Sequence, residues 1–154
     1  MGIASHLGSW LLGTVKNTTG STAGPVRNMG ATTVAQTTPL TATQVAALTG
    51  SLGAIPAGAL IVGVAFYTST LFASATTLKV TIAGVDVATA TTITAAGVFP
   101  VTLASTFASV AANVGSTDAL VTYTATGTSA TGAVTVFIEY VVRSADGTFN
   151  STSS

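Results

Sequence analysis

Only eight of the 154 side chains carry a formal charge, 5% of the chain where an ordinary soluble domain has about 25%. Lys16, Arg27, Lys79 and Arg143 balance Asp86, Asp118, Glu139 and Asp146, so the net charge is zero. No field remains to steer DNA, RNA or an acidic membrane towards the surface, and nucleic-acid binding is disfavoured. Charge on the surface is also what keeps small domains apart in solution. With 48% hydrophobic residues and a mean hydropathy of +0.70, this composition reads as that of a subunit covered by copies of itself or by a larger scaffold.

Catalytic chemistry has little to draw on. Without cysteine there is no disulfide framework, thiolate nucleophile or Cys-ligated zinc. His6 is the sole histidine and has no neighbouring carboxylate in sequence, while Asp86, Asp118 and Asp146 each sit in or beside a Gly- or Ser-containing turn. A lone Asp in that setting normally caps backbone N–H groups, which is preferred here over a calcium site. No phosphate-binding Gly loop or nucleophile elbow is present, so the chain reads as non-enzymatic, with no metal or cofactor called for.

Membrane insertion is not expected either. Residues 28–78 lack charge, but their most apolar piece, Ala54 to Phe66, is interrupted by Pro56, Gly58 and Gly63 and falls short of the roughly 20 apolar residues of a spanning helix. Met1 to Val15 has no basic leading region, and Lys16 follows its apolar residues, which is the wrong order for a secretory signal.

About thirty residues are threonine, and with Val and Ile they form the β-branched population that suits pleated sheet. An all-β chain is expected. In Ala133 to Arg143, Val134, Val136, Ile138, Tyr140 and Val142 share one face, and Thr135, Phe137, Glu139, Val141 and Arg143 share the other. Leu60, Val62, Val64 and Phe66 alternate after a turn at Ile55-Pro56-Ala57-Gly58; Leu78, Val80 and Ile82 form a third set, with Gly84 marking the bend into a strand over 85–90. Phe99, Val101 and Leu103 form a fourth, and Ala119, Val121, Tyr123 and Ala125 a fifth. Thr41 to Thr49 reads as one or two helical turns capped at Thr41 or Thr43. Seven or eight strands between about residues 31 and 143 predict a single antiparallel β-sandwich, jelly-roll-like in its strand count. Outside it lie an extended N-terminal arm, 1–30, and a polar C-terminal tail, 144–154.

Two groups of residues are candidates for interaction. In the arm, Trp10 with Leu7, Leu11 and Leu12 either folds back on the sandwich or docks on a neighbour, and the enrichment of Trp at binding hot spots favours docking. Glu139 and Arg143 lie four apart on one strand face, where they either pair with an adjacent strand or subunit or remain solvated. Tyr67, Tyr123 and Tyr140 are too dispersed to form an aromatic carbohydrate platform.

Gly24-Pro25-Val26-Arg27-Asn28-Met29-Gly30 leads into a Thr-rich strand through Gln36. Ile55-Pro56-Ala57-Gly58-Ala59 feeds an Ile- and Val-rich strand, and Gly132-Ala133-Val134 runs to Glu139-Tyr140-Val141. In this order, over about residues 24–143, the motifs resemble small virion proteins of tailed bacteriophages, in particular head decoration (cement) proteins with jelly-roll-like sandwiches. The arm at 1–23 has no counterpart in that pattern. The resemblance implies a protein on the head exterior, often a homotrimer over capsomer junctions, that contacts the major capsid protein and reinforces the shell. A tail, fibre or adaptor subunit is the alternative within the same particle. A carbohydrate-binding β-sandwich module and, last, a hydrolase are the alternatives from other classes.

Overall fold

The computed structural model describes residues 32–73 and 75–143. The arm at 1–30, with His6, Leu7, Trp10, Leu11 and Leu12, and the tail at 144–154, with Asp146, lie outside the described residues.

Nine strands and two short helices follow one another: β1 (Thr32–Thr41), α1 (Ala42–Ala46), β2 (Thr49–Ile55), β3 (Leu60–Thr70), β4 (Thr77–Ile82), β5 (Val85–Asp86), β6 (Thr91–Thr92), β7 (Gly97–Val101), a 3-10 turn (Ser105–Phe107), α2 (Ala108–Ala112), β8 (Ala119–Thr126) and β9 (Ala133–Val142). One sheet has the order β1-β9-β3-β7 and the other β2-β8-β4-β5, with β6 also on β4. Ile82 pairs with Val85 and Leu78 with Thr91, so β5 and β6 are two halves of one strand lying back along β4. Counted that way there are eight strands, every pair is antiparallel, and the only hairpin within a sheet is the one after β4. All other successive strands change sheets, which is the double Greek key of a jelly roll. Among the described residues no helix is long and apolar enough to cross a membrane.

The core forms where the inward faces meet. Val134, Val136, Ile138 and Tyr140 of β9 are buried, as are Leu78, Val80 and Ile82 of β4 and Ala119, Val121, Tyr123 and Ala125 of β8, each set as its alternation predicts. Phe66, Phe107, Ile55 and Ile93 fill the space between the sheets. The capping expectation also holds: Thr41 Oγ1 accepts from Gln44 N–H, and Gln44 Oε1 accepts from Thr41 N–H at 2.9 Å, a reciprocal box that starts α1.

Three local expectations need correction, and one element was not anticipated. In β3 the inward residues are Ile61, Val64 and Phe66, while Val62 is 52% exposed. A register shift against β9 between Ile61 and Gly63 inserts one extra residue and inverts the alternation there. The turn before β3 is also displaced by one residue: Ala59 N–H donates to Pro56 O, so Pro56 opens it and Gly58, at φ 73°, takes the third position. The strand expected over 85–90 breaks after Asp86 and resumes at Thr91. Finally, the helical stretch Ser105–Ala112, anchored by buried Phe107 and Ala111, has no side-chain cap and left no signal in the sequence.

Two details fix the sandwich edge and its hairpin. A bulge between Ser51 and Gly53 takes Leu52 out of the β2–β8 ladder, and the Leu52 carbonyl instead accepts from Gln36 Nε2 at 2.9 Å and Thr38 Oγ1 at 3.1 Å. Both donors stand on β1, so this clasp joins the two sheets at their open edge and satisfies a carbonyl that would otherwise lack a partner. A side chain at Gly53 would sit 2.6 Å from Gln36 Nε2 and displace it. In the β4–β5 hairpin both loop residues have positive φ, Ala83 at 52° and Gly84 at 77°, the pattern that favours Asn-Gly.

Replacing Ala83 by Asn is expected to raise unfolding stability by about 1 kcal/mol in a denaturant melt, because Asn tolerates the left-handed region better than Ala; an unchanged or lowered midpoint would contradict the turn assignment. Gln36→Ala should cost about 1 kcal/mol, and Gln36→Ala with Thr38→Val more than the sum of the two single changes, since only the double variant strands the Leu52 carbonyl. Additive losses would show that the clasp does not act as a unit.

Candidate interaction surface

Five charged side chains fall among the described residues, and four of them serve the fold. Lys79 Nζ lies 2.8 Å from Asp86 Oδ2, and Thr81 Oγ1 donates to Asp86 Oδ1 at 2.9 Å. Asp118 Oδ1 accepts from Ala57 N–H at 3.0 Å, the capping role expected of it. Arg143 donates through Nε to Gly58 O at 2.9 Å and through a terminal nitrogen to Ala112 O. Gly58 N–H in turn donates to Gly115 O at 2.7 Å. Asp118 and Arg143 therefore clamp the β2–β3 turn from two sides, and Arg143 also meets the carbonyl end of α2, where a cation is favoured.

Glu139 is the exception. It is exposed and has no hydrogen-bond or ion-pair partner among the described residues. Arg143 stands beyond the end of β9 and reaches over backbone carbonyls, so the structure does not bring Glu139 and Arg143 together as one site. Asp86, expected as a turn cap, instead holds Lys79 and Thr81 across the β4–β5 hairpin. Among the described residues no three of His, Asp and Glu come together to hold a metal ion.

The two outer faces of the sandwich differ in chemistry. On the β2-β8-β4-β5 sheet the cross-strand rows are Thr49, Thr124 and Lys79; Ser51, Thr122, Thr81 and Asp86; and Thr126, Thr77 and Thr92. The centre of this face is hydroxyl-rich, with Thr77 Oγ1 and Thr126 Oγ1 2.5 Å apart, while a row of Ala54 and Leu120, the latter 58% exposed, lies at its end. On the β1-β9-β3-β7 sheet the rows are Thr37, Phe137, Ala65 and Pro100; Pro39, Thr135, Tyr67 and Val98; and Ala35, Glu139 and Gly63. This face is apolar and built largely of small residues, with Val98 65% and Tyr67 42% exposed. A shallow depression lined by Gly63, Ala65, Pro100, Phe137 and Glu139 lies at its centre.

No family model and no curated protein matches the sequence. Among solved structures the chain is similar to a chain of the cyanophage Pam1 capsid asymmetric unit, with 22% identity and a TM-score of 0.52 over 79% of this chain and 92% of that one. The likeness is one of fold. It spans most of both chains.

Sequence patterning marked only the β9 part of the apolar sheet face, where Phe137 and Val141 share a side with Glu139 as expected of a partly covered strand. The members of the whole face are alternate residues of four strands that are distant in the chain, and only the register places them side by side. The Lys79–Asp86 pair was legible in principle, since seven residues separate its members across a recognisable Gly84 turn.

The Lys79 ammonium, then the Thr81 hydroxyl, hold the Asp86 carboxyl below its ordinary value of 3.8. A depressed folded-state value stabilises the protein above the ordinary one, and the contribution disappears as pH falls through the lower folded value. Asp86→Asn is therefore expected to lower the melting temperature slightly at pH 7, with the gap to the parent narrowing in strong acid and in 1 M salt. A gap independent of both pH and salt would exclude the ion pair as its cause.

Proposed function

We propose that this chain is a structural subunit of a bacteriophage virion, a decoration (cement) protein on the outer surface of the head. In this reading it binds the major capsid protein across capsomer junctions, assembles as a homotrimer and performs no catalysis. The observation that carries the reading is the similarity of fold, over 79% of this chain, to a chain of a phage capsid asymmetric unit. Scarce charge and an apolar outer face give it independent physical support, since both suit a molecule that works under cover of neighbours.

Cementing needs neutral surface buried against several subunits at once. Individual contacts can be weak, because simultaneous engagement of linked copies multiplies affinity without new chemistry. The arm residues Leu7, Trp10, Leu11 and Leu12 are proposed as a second adhesive element, reaching a neighbouring polypeptide from outside the sandwich. Arg143 contributes indirectly by fixing the β2–β3 turn, and Glu139 is offered to the partner.

Heads assembled without this chain should release their DNA at a lower temperature than complete heads, and adding the purified chain should restore the difference. The copy number in purified particles should scale with the number of shell subunits. Heads of equal heat resistance, or a few copies confined to one vertex, would instead assign the chain to the tail or a connector.

A further inference from the structure

We infer that the outer face of the β1-β9-β3-β7 sheet is the docking surface, and that its occupant is a flat, small-residue protein surface presenting a Lys or Arg to Glu139. This deepens the virion reading and rests on it: it states which side of the sandwich meets the shell and what chemistry the shell must supply there.

Glu139 lies directly across from Ala35 on β1 and Gly63 on β3. Neither neighbour has a side-chain donor, and a Cβ at Gly63 would still lie 4.0 Å from Glu139 Oε2. The carboxylate thus stands beside the apolar row of Phe137, Ala65 and Pro100, with Val141 on its other side along β9. Among the described residues no cation or hydrogen-bond donor meets it there. Covering this face with an apolar surface would strand a charge at a cost far above the gain from the surrounding burial, so a suitable partner must carry a cation or a set of donors at that point. The same feature disfavours a second copy as occupant. A two-fold packing of the face on itself with its axis at Glu139 sets Glu139 opposite its own equivalent, where like charges are repulsive, and with its axis elsewhere in the patch leaves both carboxylates against apolar rows.

The opposite face lacks these properties. Lys79 and Asp86 neutralise each other there, and the threonine hydroxyls pair among themselves or meet water. Apart from Leu120 at one end, it gains little by leaving solvent.

The test uses the full chain and heads lacking it, with rebinding measured by co-sedimentation. Parent protein should bind. Glu139→Lys and Val98→Arg, both at exposed positions, should weaken binding at least about tenfold while melting like the parent. Thr124→Lys, on the hydroxyl face, should bind as the parent does. Equal binding by all three variants, with the parent bound, would overturn the docking face and leave the virion reading standing. Weakening by Thr124→Lys alone would overturn it in favour of the other face. A parent that never binds heads would remove both readings. A solution dimer abolished by Val98→Arg would give the face to a second copy and overturn the proposed occupant.

Discussion

Alternation between the two sides of every strand is the constraint on which the rest of this molecule depends. The two sheets can meet across a dry interior only if each strand turns apolar residues inward at every second position, and β4, β8 and β9 do so without interruption. With so few charges available, nothing on the outside compensates for a strand that slips by one residue. A one-residue shift would turn the threonines of β8 into the core and Val121 and Tyr123 out of it. The bulges in β2 and β3 are tolerated because specific groups absorb them: Gln36 and Thr38 at Leu52, and adjacent apolar residues at Ile61 and Val62.

What was legible in the sequence follows from the range of the interactions involved. Period-two patterning is local, so the inward faces of β4, β8 and β9 and the approximate strand count could be read directly, and a helix start was legible to within Thr41 or Thr43. The bulge at Val62 could not, because Ile61 and Val62 are equally apolar and either could face inward. Only pairing with β9 decides between them. The helical stretch 105–112 escaped notice because tertiary packing of Phe107 and Ala111 holds it, in the absence of any side-chain cap. The apolar outer face as a whole was hidden for the same reason at larger scale: β1 and β9, which build half of it, are separated by most of the domain and become neighbours only through the jelly-roll topology.

Scarcity of charge acquires a more specific meaning in the structure than composition alone could give it. The described charges are not scattered at random over a neutral surface. Lys79, Asp86, Asp118 and Arg143 are tied to hairpins and turns, leaving one acidic side chain in an apolar sheet face. The two faces of a single sandwich are thereby made chemically unequal, one hydroxyl-rich and satisfied in water, the other apolar with a single charge to match. The proposed position against a larger shell calls for that inequality, with one side to bury and one to expose.

A reconstruction of the intact particle, at a resolution that separates the strands of this sandwich, tests the account most directly. The sheet bearing Glu139, Ala65 and Val98 is expected against another polypeptide, with a basic side chain of that polypeptide beside Glu139 and the threonine rows of β4 and β8 towards solvent. A map with the threonine rows buried and Glu139 facing open solvent would contradict it.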